Sequence, residues 1–166
     1  YSRVDGDSTV FVELKKKYRS VVYKRRVAMQ EQEAMEYLSS GKKSEDNQIM
    51  REIDYFMSYY HNPKPSVFLS YEREAFYGIE DFEFRVTFDE NILWRDYDLS
   101  LSKGIYGNEI IQTDQSLMEL KVMGAIPLWM VKLLTENEVY KTSFSKYGNA
   151  YRQIKERMEN KHEGII

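Results

Sequence analysis

The sequence predicts an α+β protein in which antiparallel strands are accompanied by helices. Several short runs are rich in aromatic and β-branched residues and alternate between apolar and charged positions, as half-exposed antiparallel strands do. Other stretches repeat apolar residues at helical spacing, and Gly and Pro separate the two kinds of segment. The chain of 166 residues is predicted to form a single domain, residues 1–166.

Two strands and then two helices are predicted in the first part of the chain. "STVFVELKKKY" and "SVVYKRRVAM" are the strands, joined by a tight turn near Arg19–Ser20. "QEQEAMEYLSS" is predicted to be a helix that ends near Gly41. "SEDNQIMREIDYFMSYYH" follows as a second helix with Ser44 as its N-cap. Its apolar positions are Ile49, Ile53, Phe56 and Met57.

Strands return after "NPKP", which ends the second helix. They are "SVFLSYEREAFYG", "DFEFRVTFDENILWR" and "SLMELKVMG". Two helices are then predicted in "PLWMVKLLTEN" and "SKYGNAYRQIKERMEN", the last with a possible break at Gly148. Two sets of side chains are assigned to packing rather than to a site: Trp129, Leu133 and Leu134, and Tyr55, Tyr59 and Tyr60.

Composition excludes several classes of site. The chain contains no cysteine, which rules out disulfides and thiolate chemistry and fits a cytoplasmic location. Its two histidines lie far apart, so a histidine-based zinc site is not expected. No apolar run reaches the roughly 20 residues that a membrane-spanning helix needs. The net charge of −3 conceals a basic segment, "KKKYRSVVYKRR", with seven cations and no anion.

Charged residues recur on one face of several predicted strands. Alternation places Glu13, Lys15 and Lys17 on a face opposite Val12 and Leu14. The same pattern groups Lys24 with Arg26, sets Arg73 opposite Glu72 and Glu74, and pairs Glu119 with Lys121. In "FEFRVTFD" it separates Phe82, Phe84, Val86 and Phe88 from Glu83, Arg85, Thr87 and Asp89. Two interpretations fit: a sheet with one solvated face, or a barrel whose charged faces line a lumen for a polyanion.

Five motifs, in order, resemble one known family. They are the ELK strand of "VFVELKKKYRSVVYKRR", the E-R strand "YEREAFYG", "EFRVTFD", the second ELK in "LMELKVMGAIPLWMVKLL", and "SFSKYGNAY". Together they resemble the polyphosphate polymerase domain of the vacuolar transporter chaperone (VTC) family, within the triphosphate tunnel superfamily that includes the CYTH enzymes. The resemblance covers most of the chain and implies an antiparallel tunnel barrel flanked by helices. The family's initial strands, including an R-x-R strand, have no counterpart here, so we expect the barrel to be incomplete at the N-terminus.

The resemblance also implies roles for individual residues. The cations that act on phosphate would be Lys15, Lys24, Arg73, Arg85 and Lys146. Arg26 and Lys121 would add to the substrate-binding set, together with Ser145 and Tyr147, which flank Lys146 in a motif that closes over the phosphate chain. Glu119 matches the family's metal-coordinating glutamate, with Glu13 as a candidate partner for Mg²⁺ or Mn²⁺.

The function implied is transfer of the γ-phosphoryl group of ATP to a polyphosphate chain. A triphosphatase with water as acceptor and a non-catalytic polyphosphate-binding module are the alternatives. The expected partners are ATP or another triphosphate and inorganic polyphosphate. Nucleic acid is not expected, because the cations occupy alternating strand positions rather than an exposed stripe.

Overall fold

The computed structural model describes Asp5 and residues 7–19, 21–43 and 45–163. These residues form an α+β fold with antiparallel sheets and four α-helices, which confirms the predicted class; closure into a barrel stays a prediction. The chain divides into two compact units. The first contains the described residues up to Pro65 and Leu101–Gly104, and the second contains Ser66–Ser100 and the described residues from Ile105 onward. The single domain stays a prediction.

The first unit is built on an antiparallel hairpin. Strands β1 (Thr9–Tyr18) and β2 (Val21–Gln30) pair along their whole length, from Thr9 opposite Gln30 to Tyr18 opposite Val21. The predicted turn contains Arg19, whose φ is +46°, while Ser20 lies outside the described residues. At the end of the hairpin away from the turn, the strands bury one face and expose the other, as the alternation of apolar and charged residues predicted. That core includes Val10, Leu14, Val27 and Met29.

Two helices cover the buried face of the hairpin. Helix α1 (Glu31–Ser40) ends at Gly41, whose φ of +77° is a left-handed conformation that glycine adopts at little cost. Helix α2 (Gln48–Tyr59) packs Met50 and Ile53 into the same core. The predicted cap, Ser44, lies outside the described residues. The observed cap is Asn47, whose side-chain oxygen accepts a hydrogen bond from the Met50 N–H at 3.0 Å.

The second unit contains a four-stranded sheet centred on β4 (Arg85–Arg95). Strand β3 (Phe68–Tyr77) pairs with β4 along one edge. On the other edge, β5 (Asn108–Glu109) pairs near the C-terminal end of β4, and β6 (Leu117–Lys121) pairs with Arg85–Asp89. All pairings are antiparallel. Strand β5 was not predicted, because two residues are too few to show alternation.

Helix α3 (Leu128–Glu136) covers one face of this sheet. Met130 and Leu134 from the helix pack against Phe84, Val86 and neighbouring apolar residues of β4 and β6. Helix α4 (Lys146–Glu163) packs Ala150 and Ile154 against Trp94 and runs through Gly148 without the possible break. Each helix therefore protects a different part of the apolar sheet surface.

A buried cation organises the loop that follows β4. Arg95 is 0% exposed, and its guanidinium donates to the carbonyls of Asp98, Ser100 and Tyr106 at 3.0, 3.3 and 2.9 Å. It also lies over the Phe68 ring, with 3.5 Å from Cζ to the ring centroid. Buried charge is tolerated here because carbonyl dipoles and an aromatic face replace water.

Three predictions about packing are wrong. Trp129 and Leu133 were assigned to the core but are 59% and 49% exposed, because α3 covers only part of the sheet. Tyr55, Tyr59 and Tyr60 are exposed, although their rings contact one another or Phe56. Strand β4 begins at Arg85, so Phe82 lies in the preceding turn and is exposed. In the described part of the chain, no helix has the length and apolarity to span a bilayer.

Candidate phosphate-binding site

One face of the four-stranded sheet collects most of the predicted site residues. In the register of β3, β4 and β6, Arg73 lies opposite Asp89, Thr87 opposite Glu119, and Arg85 opposite Lys121. Directly opposed residues in a sheet point to the same side. We call this surface the cationic face. Its members are Arg73, Arg85, Thr87, Asp89, Glu119 and Lys121, joined by Lys146 from α4.

Asp89 is the centre of this surface and is 0% exposed. Its carboxylate accepts two hydrogen bonds from Arg73, from Nε at 2.5 Å and from Nη2 at 2.7 Å. It also accepts one from Lys146 Nζ at 2.5 Å. A bidentate guanidinium–carboxylate pair fixes the plane of the arginine as well as its position. Asp89 therefore holds two cations from different elements at one place.

The pKa values agree with this geometry. Burial alone would raise the pKa of Asp89, but hydrogen bonds from Arg73 and Lys146 outweigh it and keep the pKa below its usual value. The hydrogen bond to Asp89 raises the pKa of Arg73 further above its already high value. Asp89 and Arg73 are thus both charged near neutral pH. Counting the formal charge of Lys146 as well, the group of three is net positive.

Tyr71 forms an aromatic wall beside the same trio. Its ring centroid lies 5.0 Å from Arg73 Cζ and 4.5 Å from Lys146 Nζ. The strands change register between Ser70 and Glu72, where Asn91 adopts a φ of +48° and donates to Glu72 at 3.0 Å. This bulge sets where the ring of Tyr71 lies relative to the sheet.

Glu119 lies in the middle of the cationic face and is partly exposed. Its carboxylate is 3.3 Å from Lys121 Nζ and 3.8 Å from Arg73 Nη2. Within the described residues, the ion pair of Arg85, at the far end of the face, is a loose one with Glu83 at 3.9 Å. Contacts of this length between exposed groups stabilise little. Lys121 and Arg85 are therefore accessible to an anionic ligand.

The start of helix α4 fixes the position of Lys146. Ser145 is the residue before the helix, and its hydroxyl accepts a hydrogen bond from the Gly148 N–H at 3.1 Å. Ser145 therefore acts as a helix cap, whatever else its hydroxyl binds. Tyr147 is exposed, with its ring 6.3 Å from that of Tyr151, and its role in substrate binding stays a prediction. Of the three predicted residues Ser145, Lys146 and Tyr147, Lys146 therefore supplies a cation to the cationic face.

The remaining predicted residues lie on the hairpin of the first unit. Lys15 is directly opposite Lys24, and Glu13 is opposite Arg26, so all four share one face. Glu13 bonds Lys24 at 2.8 Å, and Arg26 lies 4.6 Å from the centroid of the Phe11 ring. Two like charges in direct register cost stability in the absence of a counter-charge. This hairpin face is suited to a polyanion.

A comparison with protein families gives a match over nearly the whole chain. The model of the VTC domain matches residues 1–155, nearly the whole chain. The chain belongs to the VTC domain family. This membership implies a function related to polyphosphate polymerisation at the level of the family. A search of curated proteins found no match.

For the metal ion expected in a VTC domain, the described residues offer a candidate ligand but no preformed coordination site. Across the described residues, no group of three or more His, Asp and Glu side chains is placed to hold an ion. Mg²⁺ is often bound by one or two carboxylates, with waters and substrate phosphates as its other ligands. Glu119 fits that pattern because it is partly exposed beside Arg73 and Lys121. Glu13 is paired with Lys24 in the other unit, and its metal role stays a prediction.

Sequence reasoning missed the organising residue of this VTC domain. Asp89 was placed on the charged face of its strand and is the last residue of the "FRVTFD" motif, but no role was assigned to it. The alternation of apolar and charged residues along β4 predicts on which side of the sheet Asp89 lies. It does not predict that Lys146 of α4, more than fifty residues later in the chain, packs against this carboxylate. Tyr71 was likewise missed as a partner of the two cations.

Proposed function

We propose that this VTC domain transfers the γ-phosphoryl group of ATP to the end of a polyphosphate chain. The observation that carries the proposal is the orientation of Arg73 and Lys146 around buried Asp89, next to Lys121 and Arg85 on one sheet face. Several cations held at fixed spacing match a ligand with several linked negative charges. The tunnel barrel implied by the family resemblance remains part of the prediction, and each cationic surface supports the proposal by itself.

Among the cations of this face, Arg73 has a guanidinium whose orientation is fixed by two hydrogen bonds to Asp89, which suits it to phosphate binding. Asp89 takes two of the five N–H donors that a guanidinium carries, so the others remain for phosphate oxygens. Lys146 adds a second positive charge at the same place. Arg85 and Lys121 lie about 13 Å further along β4, four residues at roughly 3.3 Å each, and extend the grip along a chain of phosphates.

The reaction requires positioning rather than a strong base. The terminal phosphate of the acceptor is already an anion, and its oxygen forms the new bond to the γ-phosphorus while the bond to the β-phosphate oxygen breaks and ADP leaves. Lys and Arg side chains neutralise the charge that develops on the transferred group. A divalent cation held by Glu119 and substrate oxygens would add further charge neutralisation.

Replacing Glu119 by Gln tests the enzymatic proposal. The substitution keeps the side-chain shape but removes the charge that would bind the metal, so we expect metal-dependent ATP turnover to fall roughly a thousandfold. Binding of tripolyphosphate should change little, because the cations remain. Glu74→Gln is the matched control: Glu74 lies on the opposite face of the sheet, across from Phe88, and its removal should leave turnover intact.

The products identify the reaction. ADP with lengthened polyphosphate supports the polymerase, ADP with free phosphate indicates a triphosphatase, and tight polyphosphate binding without turnover indicates a binding module. Unchanged turnover in Glu119→Gln would contradict the metal role of Glu119. These assays use the full-length protein, with calorimetric binding of tripolyphosphate measured alongside.

A further inference from the structure

The sheet of the second unit has an open apolar groove on the face away from the cations. The groove lies between α3 and the end of β3, and its volume is about 1100 Å³. Val86, Phe88 and Met118 from β4 and β6 form its floor. Its walls come from Trp129 and Leu133 on α3 and from the segment Phe76–Asp81. We call it the outer groove.

Large apolar side chains in the outer groove are exposed to water. Trp129 is 59% exposed, Leu133 49% and Phe76 53%. A soluble domain rarely leaves a continuous apolar surface of this kind open, and such surfaces commonly mark sites of association. This explains why sequence periodicity placed Trp129 and Leu133 in a core: they have the pattern of buried residues but lie at an opening.

Carboxylates surround the outer groove and indicate the charge of its occupant. Glu80 and Asp81 line one end. At the other end, Glu72 and Glu74 continue the strand face of Phe76, and Glu90 lies directly opposite Glu72. Among the described residues, none of these five carboxylates has a Lys or Arg within salt-bridge distance, and two like charges in register are unfavourable. The rim therefore favours a cationic partner.

We propose that the outer groove binds an amphipathic helix of a separate protein, with its apolar face in the groove and basic residues against the acidic rim. An occupant here lies on side chains, so its backbone hydrogen bonds have to be internal, which a helix provides and an extended peptide does not. Helix α3 is nine residues long, or about 13.5 Å, so an occupant of the same length contributes about two and a half turns. Anionic lipid and fatty-acid headgroups would meet repulsion at the same rim.

The two tryptophans provide a direct readout of occupancy. Trp129 lies on the groove and is well exposed, whereas Trp94 is 2% exposed behind α4. Acrylamide quenching of the protein should therefore report mainly on Trp129. We expect a designed Leu/Lys amphipathic peptide of about 18 residues, or five turns, to reduce quenching and shift emission to the blue. A Leu/Glu peptide with the same apolar face should bind at least roughly tenfold more weakly.

Substitutions at two leucines of α3 distinguish peptide binding in the groove from non-specific charge attraction. Leu133→Glu places a charge in the groove, whereas Leu128→Glu adds the same charge at a site that is 86% exposed and does not line the groove. We expect roughly tenfold weaker Leu/Lys binding in the first variant and equal or tighter binding in the second. Thermal melts check that both are folded. The double variant Glu72→Gln, Glu74→Gln is a second test at exposed positions and should also weaken binding.

Three results would overturn the proposal. Equal binding of Leu/Lys and Leu/Glu peptides would remove the argument from the rim. Equal effects of the Leu133 and Leu128 substitutions would show that the peptide binds outside the groove. Protection of Trp129 from acrylamide in the full-length protein, without added peptide, would show that its own chain already fills the groove. The ATP and polyphosphate assays are not part of this test. A failure of the groove proposal is therefore distinguishable from a failure of the proposed function.

Discussion

The substitution Asp89→Asn distinguishes two predictions of opposite sign for the affinity of the cationic face for a polyanion. The substitution raises the net charge of the cationic face by one, so simple attraction predicts tighter binding of a polyanion. If Asp89 orients Arg73 and Lys146, binding should weaken instead, because both cations lose their common anchor. We expect tripolyphosphate affinity to fall about tenfold, equivalent to 1.4 kcal/mol.

The cost in stability follows from the burial of the three groups. Breaking a buried ion pair typically costs about 3–5 kcal/mol. Asp89 is fully buried, but the side chains of Arg73 and Lys146 are 34% and 18% exposed and can regain water. We therefore expect a loss of about 2 kcal/mol in the free energy of unfolding, or roughly 4–8 °C in Tm. Isothermal calorimetry and thermal melts measure the two effects separately.

Asp96→Asn is the matched control for this experiment. Asp96 pairs with Arg157 of α4 within the same unit, and no predicted phosphate-binding residue takes part in that pair. We expect some loss of stability without loss of tripolyphosphate affinity. Tighter or unchanged binding by Asp89→Asn in a folded protein would refute the orienting role of Asp89.

The depressed pKa of Asp89 adds a dependence on pH. Because the folded pKa lies below the unfolded value, near 3.9, the stabilisation is present above that value and is lost as pH falls through the folded pKa. The difference in Tm between the native protein and Asp89→Asn should therefore shrink below about pH 4. A constant difference down to pH 2 would contradict ionised Asp89 as the source of the stabilisation.

Two further predictions concern other parts of the molecule. Lys15→Ala should weaken polyphosphate binding roughly threefold to tenfold at low salt, whereas Lys16→Ala, on the other face of the same strand, should not; equal effects would indicate only general charge attraction. Arg95→Met should lower the free energy of unfolding by about 3 kcal/mol, because three loop carbonyls lose their buried donor; a thermal melt that matches the native protein would refute this.

Local patterns predicted the elements of this fold well. Alternation in β1 placed Val12 and Leu14 on the apolar face, and both pack in the core of the first unit; helical spacing identified Ile53 in the same core. The cap of α2 was misplaced because Ser44 and Asn47 are both good caps in the same short segment, and sequence alone does not show which one the helix uses. The errors at Trp129 and Leu133 have another cause: periodicity gives the apolar side of a helix but not whether anything covers it.

The candidate site was predicted less completely than the fold. Motif resemblance identified Arg73, Lys121 and Lys146, which the structure brings to one surface. It did not reveal that Asp89 is buried under two of its cations, since that depends on contacts between distant segments. The phosphate-binding roles of all the predicted cations, and the roles of Glu119 and Glu13 as metal ligands, stay predictions.

The separation of Asp89 from Lys146 along the chain has a consequence for synthesis. When β3 and β4 have left the ribosome, Arg73 can already pair with Asp89, and that pair is electrically neutral. Lys146 follows Asp89 by 57 positions and changes the balance to a net positive charge only when α4 folds. During synthesis the contact between Arg73 and Asp89 can therefore form before the contact with Lys146. The buried carboxylate gains its second cation only when α4 folds onto the sheet.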